Sequence, residues 1–322
     1  MSEPLIIAVA SKGRPKEQVE AWLADCGLDL QLVGGSRGYI ASLKGMPGVQ
    51  VRLLSASDIA DALDAGEVHL GITGEDLLRE RGQDIDQRLL MLRALGFGRA
   101  DLVVAVPKSW LDVDTMADLE EVAHEFLART GRRMRVATKY VVQTRAYFAR
   151  HGVSDYRITE SGGATEGAPA SGGAELIVDI TTTGATLNAN GLKVLADGLI
   201  LKSQFQLAAN LQIAWSDRQL DAAQRLLRIV EARSAALRTV TLDWPQGDAP
   251  SDVIDTLVAQ GATRRSNGLL VGVDRIPAVA GALTAVGLGP VTVARPDFVF
   301  DLRCAPFEQL IARLKDDTGV KK

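Results

Sequence analysis

The chain alternates short apolar runs with stretches in which apolar residues recur every three or four positions. A short apolar run bounded by polar or glycine residues predicts a buried strand, whereas the longer spacing predicts an amphipathic helix. The alternation continues to about Asn210 and is typical of an α/β fold with largely parallel sheets. Strands are predicted at Leu5–Ala10, Val49–Leu54, Leu70–Thr73, Leu102–Val106, Arg135–Ala137 and Leu176–Asp179. Helices are predicted at Lys16–Cys26, Asp58–Ala65 with Ser57 as its cap, Glu75–Glu80, Thr115 to about Thr130, and Gln143–Arg150.

The pattern changes after a long amphipathic stretch, Asp217–Leu237, which predicts one linking helix. The order of elements beyond it resembles a βαββαβ unit, which is the ferredoxin-like α+β arrangement. The predicted strands of this part are Thr239–Asp243, Gly268–Val273, Val291–Ala294 and Phe298–Leu302. The predicted helices are Asp252–Gln260, Pro277–Ala285 and Pro306–Leu314.

These elements predict a two-lobed α/β core followed by a smaller domain. We expect residues 1–98 and 192–215 to form the first lobe and residues 99–191 to form the second. Residues 216–238 would link this core to a C-terminal α+β domain, residues 239–322. A ligand is then expected in the cleft between the lobes, at the carboxyl ends of the strands.

Composition narrows the class of protein. The chain has 322 residues, of which 47% are hydrophobic and 24% are charged, as in a globular protein of two or three domains. Its net charge of -4 argues against nucleic-acid binding by bulk electrostatics. Cys26 and Cys304 form no disulfide framework, and the apolar stretch from Ile276 to Ala294 is interrupted by proline and glycine. We therefore expect a cytoplasmic protein without a membrane-spanning segment.

The most informative segment is Asp179-Ile-Thr-Thr-Thr-Gly-Ala-Thr-Leu187, which follows a predicted buried strand. Backbone N–H groups where a helix begins form an anion site, and glycine at position 184 allows a positive φ. Thr182, Thr183 and Thr186 add hydroxyl donors, and Asp179 can meet sugar hydroxyls. An acid before such a turn suits a phosphorylated sugar. The alternative is an ordinary turn between a strand and a helix, in which threonine and glycine are common.

Cationic groups follow several other strands. Lys12 and Arg14 lie after the first strand, and Lys139 follows Arg135–Ala137, where a ligand phosphate could sit. The alternative for Lys12-Gly-Arg14 is a solvated surface turn.

Three further segments can contribute to a ligand site. Thr73-Gly74 ends a strand ahead of a helix, so the N–H groups there could bind a base edge or a phosphate. Gly96 and Gly98 indicate a hinge with Arg99 beside it, or only a domain-crossing linker. Glu166 lies in a glycine-rich stretch that is a candidate ligand cover, with disorder as the alternative.

In series, these motifs resemble the ATP phosphoribosyltransferase family, which carries out the first step of histidine biosynthesis. The matching segments are Lys12-Gly-Arg14, Leu70-Gly-Ile-Thr-Gly-Glu75, Leu95-Gly-Phe-Gly-Arg99, Arg135-Val-Ala-Thr-Lys-Tyr140, Glu166 with Ala168-Pro169, and Asp179 to Leu192. Pro15 departs from the leucine that is usual in the family. The resemblance implies a periplasmic-binding-protein-like catalytic core that joins N1 of the ATP adenine to C1 of 5-phosphoribosyl 1-pyrophosphate (PRPP), with Mg²⁺ held mostly by substrate.

The resemblance also implies roles for the residues of the motifs. Glu166 and Asp179 would be catalytic. PRPP would be bound by Asp179, Thr182, Thr183, Gly184, Ala185 and Thr186. ATP or pyrophosphate would be bound by Lys12, Arg14, Thr73, Gly74, Arg99 and Lys139.

The C-terminal part does not clearly match the family, although its length and element order suit the long form. In that form the domain binds histidine as a feedback inhibitor, and the enzyme forms dimers or hexamers. Two alternatives stay open: a two-lobed small-molecule binding protein without catalysis, and a phosphoribosyltransferase that uses another base. The common fold of the latter enzymes usually has two adjacent acids before its phosphate turn, whereas here only Asp179 precedes the threonines.

Overall fold

The computed structural model describes residues 3–33, 38–244 and 250–319. Its strands are β1 (Leu5–Ala10), β2 (Leu30–Val33), β3 (Ile40–Leu43), β4 (Val49–Leu54), β5 (Leu70–Gly74), β6 (Leu89–Ala94), β7 (Ala100–Pro107), β8 (Met134–Thr138), β9 (Tyr156–Glu160), β10 (Leu176–Thr181), β11 (Leu192–Ser203), β12 (Phe205–Asn210), β13 (Thr239–Asp243), β14 (Thr263–Arg265), β15 (Gly268–Gly272) and β16 (Thr292–Ala294). Its helices are α1 (Gly13–Asp25), α2 (Ala56–Asp64), α3 (Glu75–Arg79), α4 (Ile85–Arg88), α5 (Met116–Thr130), α6 (Val141–Arg150), α7 (Ala185–Ala189), α8 (Asp217–Arg238), α9 (Ser251–Ala259), α10 (Ile276–Ala285) and α11 (Ala305–Gly319).

The first lobe is built on a sheet with the strand order β2-β3-β4-β1-β5-β12-β6. β1 lies between β4 and β5 and is parallel to both, so its fully apolar sequence is buried on both faces. The remaining neighbours in this sheet pair antiparallel. Helix α2 packs on β1 and β5, and its N-terminus is capped by Ser55, whose Oγ accepts from the amide of Asp58. The cap predicted at Ser57 was therefore two residues late.

The second lobe is built on a sheet with the order β11-β7-β10-β8-β9. β10 lies at its centre, antiparallel to β7 and parallel to β8. Thr115 and Asp118 form the predicted capping box at the start of α5. Because β10 is the central strand, the turn that follows Thr181 lies at the middle of one edge of this sheet.

Two short segments cross between the lobes side by side. The first is 95–99, between β6 and β7, and the second is Gln204, between β11 and β12. The Gly96 amide donates to Gln204 Oε1 over 3.1 Å, and the Phe205 amide donates to the Phe97 carbonyl over 3.0 Å. The crossing predicted from Gly96 and Gly98 is thus one half of a paired hinge.

The third unit follows the long helix α8, which packs on β1 with its apolar face. Its sheet has the order β14-β15-β13-β16 with antiparallel neighbours, and α9 contacts α10 beside it. This βαββαβ arrangement is the ferredoxin-like topology expected from the sequence. The two-lobed α/β core with an additional α+β domain is confirmed.

The structure corrects four expectations. The sheets of the lobes are mixed rather than largely parallel, because β7 in the second lobe and β3 and β12 in the first run antiparallel to both of their neighbours. β11 pairs with β7 in the second lobe, so the expected lobe boundary at residue 192 was wrong for this strand. Residues 298–302 form no strand, and the Val299 amide donates to the Ala232 carbonyl of α8 instead. Helix α11 packs on β6 and α8 of the core and does not join the ferredoxin-like unit.

Across the three described ranges, the structure contains no helix that combines the length and the apolar character needed to cross a membrane.

Candidate active site

The turn after β10 has the shape predicted for an anion site. Gly184, with φ +73°, precedes the first residue of α7, and its amide donates to Thr181 Oγ1 over 2.9 Å. The amides of the first turn of a helix have no partner inside the helix, and that of Ala185 donates to Thr183 Oγ1 over 3.4 Å. The side chains of Thr182, Thr183 and Thr186 are exposed beside them.

A cavity of about 280 Å³ opens on this turn. Its lining joins the turn to Glu166 and Asp179, which places two carboxylates beside the hydroxyl groups. The lining residues are Ala100, Glu166, Asp179, Ile180, Thr181, Thr182, Thr183, Ala185, Thr186 and Leu187. A phosphate in the turn would therefore carry its sugar toward the carboxylates.

The carboxyl group of Asp179 has a pKa shifted by its surroundings. Burial raises the pKa of its carboxyl group, and the negative charge of Glu166 raises that pKa further. The amide of Ile180, which donates to Asp179 Oδ1 over 2.8 Å, and the charge of Lys139 act in the opposite direction. A half-buried carboxylate with a shifted pKa in a cleft is typical of a functional group.

Glu166 is carried by a single 3-10 turn, Thr165–Gly167. Thr165 is buried, and its hydroxyl donates to Ser161 Oγ over 3.0 Å. The backbone before it turns through Ala164, which has φ +49°. These contacts hold Glu166 at the cavity, so its segment is an ordered wall in this structure.

Two predicted cations lie close to the turn. Lys139 directly follows β8, its side chain is exposed, and its Nζ lies 4.9 Å from the centre of the Tyr140 ring. The Arg99 side chain is also exposed, and its carbonyl accepts a long hydrogen bond of 3.5 Å from the Thr182 hydroxyl. Both positions allow contact with a substrate phosphate.

Lys12 and Arg14 belong to the first lobe and do not line the cavity. Both side chains are exposed where β1 gives way to α1. Lys12 occupies the cap position of α1 without a side-chain hydrogen bond to the helix.

Thr73 and Gly74, which were predicted to bind ATP or pyrophosphate, lie where the polar groups are bonded within the protein. Thr73 is 1% exposed, and its hydroxyl donates to the Ala56 carbonyl over 2.8 Å. The amides of Glu75 and Asp76, which open α3, donate to the Gln204 carbonyl and to Ser203 Oγ. The N–H groups predicted to be available there are occupied by the protein.

Sequence reasoning missed Thr181 as the acceptor that shapes the turn, although a threonine three residues before a turn glycine is a usable signal. It also missed Asp76 and Tyr140, which are 64 residues apart in sequence and hydrogen-bonded. Within the described part of the chain, no group of three or more His, Cys, Asp or Glu side chains is arranged to hold a metal ion.

A two-lobed α/β core with an acidic, threonine-rich turn beside a cavity is the arrangement expected of an enzyme of the phosphoribosyltransferase class. Comparison with known proteins agrees: the family model HisG, described as ATP phosphoribosyltransferase, matches residues 55–231. The chain belongs to the ATP phosphoribosyltransferase family, whose reaction is the first step of histidine biosynthesis.

Two ATP phosphoribosyltransferases from other organisms are similar in sequence to this chain over nearly the whole length of both proteins. The ATP phosphoribosyltransferase of Caulobacter vibrioides (strain NA1000 / CB15N) is 63% identical over 317 residues, which is 98% of this chain and 99% of the relative. That of Bradyrhizobium sp. (strain ORS 278) is 48% identical, covering 98% of this chain and 100% of the relative. These match lengths fit the long form of the family.

Among solved structures, a chain of the ATP phosphoribosyl transferase (HisG:HisZ) complex from Thermotoga maritima superposes with a TM-score of 0.53. The identity is 24%, and the match covers 70% of this chain and 98% of that chain. The likeness supports the fold of the shared part.

Proposed function

We propose that the cavity at the Asp179–Leu187 turn holds PRPP while N1 of the ATP adenine attacks C1 of its ribose. The products are N1-(5-phosphoribosyl)-ATP and pyrophosphate. The observation that carries this proposal is the single cavity shared by the threonine turn, Asp179 and Glu166.

The turn would bind the 5-phosphate of PRPP. The first-turn amides of α7 and the hydroxyls of Thr182, Thr183 and Thr186 supply donors, and Gly184 leaves the backbone open to close approach. Thr181 keeps the turn in this shape through its bond to the Gly184 amide.

Asp179 and Glu166 would act on the ribose. As the C1–O bond breaks, its electron pair leaves with pyrophosphate and positive charge develops on the ribose ring. Carboxylates fixed beside the ring stabilise that charge without reorganising, and this preorganisation is a large part of catalysis in such sites. Neither residue needs to act as a nucleophile, because binding the two substrates in line supplies the rest.

Lys139 and Arg99 would meet the pyrophosphate from the second lobe. Lys12 and Arg14 would meet substrate phosphates from the first lobe across the cleft. We leave Thr73 and Gly74 out of the proposed contacts, since the Thr73 hydroxyl and the neighbouring amides are bonded within the protein.

Mg²⁺ fits this site as an ion that enters with the substrate. Asp179 and Glu166 are two carboxylates rather than a closed set of ligands, and Mg²⁺ keeps water and substrate oxygens in its shell. Bound to the pyrophosphate, it would neutralise the charge of the leaving group. Asp179 and Glu166 remain directed at the ribose.

The ferredoxin-like domain supports a second proposal, that histidine inhibits the enzyme and that the chain forms a dimer or a hexamer. A product-formation rate that does not change at saturating histidine would contradict the first part. A single monomeric species in sedimentation, at enzyme concentrations that support activity, would contradict the second. The expected cytoplasmic location stays a prediction.

The test of the proposed function is product analysis. The purified protein is incubated with ATP, PRPP and Mg²⁺, and phosphoribosyl-ATP is quantified by mass with and without pyrophosphatase. We expect product only when both substrates are present. Absence of product, while a related family enzyme is active in the same buffer, would contradict the proposal and favour a binding protein.

A further inference from the structure

Two carboxylates of the first lobe reach across to the second lobe: Asp76 lies in α3, and Glu80 directly follows it. Asp76 and Glu80 are four residues apart, so they lie on the same side of the helical turn. Both accept hydrogen bonds from the segment that begins α6, which directly follows Lys139. We call the contacts of Asp76 and Glu80 with residues 140–143 the α3 latch.

The Asp76 half of the latch is buried. Asp76 is 6% exposed and Tyr140 is fully buried. The Tyr140 hydroxyl donates to Asp76 Oδ2 over 2.6 Å, and the Ser203 hydroxyl donates to Asp76 Oδ1 over 2.7 Å. Ser203 ends β11 beside the hinge, so one carboxylate joins the second lobe, the hinge and the first lobe. Breaking such a contact leaves a buried polar group without a partner, which is costly.

In the other half of the latch, the Glu80 carboxylate of the first lobe caps the N-terminus of α6 in the second lobe. Glu80 Oε1 accepts from the Val142 amide over 2.7 Å, and Oε2 accepts from the Gln143 amide over 3.2 Å. The Gln143 side chain donates back to the Asp76 carbonyl over 2.8 Å. The first amides of α6, which no residue of its own helix can satisfy, are therefore satisfied by the other lobe.

The latch leads directly to the proposed active site. Lys139 precedes Tyr140, and its Nζ lies over the face of the Tyr140 ring at 4.9 Å from the ring centre. A cation in that position is attracted to the ring. Movement of the ring with respect to the first lobe would therefore also move the Lys139 ammonium group with respect to the first lobe and its cations.

We propose that the α3 latch sets the angle between the lobes, and that Tyr140 is a positioning residue, which by bonding to Asp76 fixes where Lys139 lies with respect to the groups of the first lobe. The part concerning Lys139 rests on the function proposed above, whereas the part concerning the lobe angle does not. Correct alignment of groups from both lobes matters because a small misplacement of a reacting group is costly in rate.

The chain offers a matched control. Tyr147 is also a buried tyrosine on the Lys139–α6 segment, and its hydroxyl donates to the Asp197 carbonyl of the same lobe. Tyr140→Phe and Tyr147→Phe each remove one hydroxyl hydrogen bond, but only the first removes a bond between lobes. Tyr140→Phe also keeps the ring under Lys139.

The first experiment measures kcat and KM for PRPP. We expect Tyr140→Phe to lower kcat/KM by about tenfold to a hundredfold, whereas Tyr147→Phe stays near the wild-type value. Because Tyr140 acts through Lys139, the loss in Tyr140→Phe/Lys139→Met should be smaller than the product of the two single losses. Equal effects of the two tyrosine variants, or strictly multiplicative losses, would overturn the positioning role.

The second experiment does not depend on catalysis. Spin labels are placed at Glu17→Cys on α1 and Glu125→Cys on α5, both exposed, while the native Cys26 and Cys304 are buried. We expect a narrow distance distribution in the otherwise native protein and in Tyr147→Phe, and a broader or shifted one in Tyr140→Phe/Glu80→Gln. A distribution in the latch variant that matches the native one would overturn the latch, whether or not the protein forms phosphoribosyl-ATP.

Discussion

The charge of Lys139, the residue that directly follows β8, acts on the carboxylate of Asp179 in the neighbouring parallel strand β10. The register of β10 and β8 pairs Leu176 with Val136 and Ile177 with Ala137, and Asp179 and Lys139 each follow two residues beyond the second pair. The positive charge of Lys139 lowers the pKa that burial raises at Asp179. The parallel pairing of the two strands thus brings a carboxylate and an ammonium group to the same edge of the sheet, at the threonine turn.

This pairing predicts a pH effect. Asp179 must be ionised to stabilise positive charge on the ribose, so kcat/KM for PRPP should fall as the pH falls through the pKa of Asp179. Lys139→Met removes a charge that lowers this pKa, so the acid limb of the profile should move to higher pH. The control is Arg133→Met, which removes an exposed cation ahead of β8. A limb that stays in place in Lys139→Met would contradict the assignment.

The ionised carboxylate of Asp179 should also lower the stability of the folded state. The pKa of its carboxyl group in the folded state lies above the ordinary value of 3.8, so the folded state holds the proton more tightly than the unfolded state does. Stability contributed by the protonated form is lost as the pH rises above about 3.8. Asp179→Asn should therefore unfold at the same temperature as wild type or higher at pH 7, and the advantage should disappear near pH 4. A lower unfolding temperature at pH 7 would show that the ionised carboxylate is a net stabilising group.

Glu175 should behave in the opposite way. Burial would raise its pKa, but hydrogen bonds from Arg135 and Arg132 outweigh burial and lower the pKa from 4.5 to about 2. Its ionised form stabilises the fold above about pH 4.5, and this contribution is lost as the pH falls toward 2. Glu175→Gln should cost about 2 kcal/mol in urea unfolding at pH 7. The difference from wild type should narrow below pH 4.5, whereas a constant difference would rule out the ion pair as its cause.

The hinge makes a prediction about two glycines that both have positive φ. At Gly98, φ is +63° and an added Cβ would lie 2.5 Å from the Phe205 ring. At Gly96, φ is +79° and no atom lies within 4 Å of an added Cβ. Gly96→Ala should cost only the left-handed backbone strain, about 1–2 kcal/mol. Gly98→Ala should cost a further 1–3 kcal/mol, roughly, through overpacking, which thermal unfolding of both variants would measure. Equal losses would mean that Phe205 moves away freely.

The elements that the sequence predicted best are those whose cause is local. β1, β4 and β13 begin and end at the predicted residues, since β1 is an apolar run and the other two alternate apolar with polar residues over a short length. β11 carries polar residues between its apolar ones and was missed, because only its pairing with β7 makes it a strand. Residues 298–302 were wrongly predicted as a strand, because their local sequence is apolar but no strand among the described residues pairs with them. Val299 donates to the Ala232 carbonyl of α8 over 2.9 Å, so a helix occupies the place of a strand partner.

The candidate site divides in the same way. The Asp179–Leu187 turn is contiguous, so residue types and their spacing carried its prediction. The relation of Glu166 and Lys139 to Asp179 depends on strand pairing and could be expected only in outline. Asp76 and Tyr140 meet across the two lobes, and nothing in the local sequence of either residue indicates the other.

The most direct test of the account is the rate at which Asp179→Asn forms phosphoribosyl-ATP at saturating ATP and PRPP with Mg²⁺. The side chain keeps its size and loses the charge that is proposed to stabilise the ribose. We predict a loss of about a hundredfold to a thousandfold in kcat, in a protein that unfolds no earlier than wild type. A kcat equal to that of wild type would contradict the role of Asp179 and, with it, the placement of the chemistry at the threonine turn.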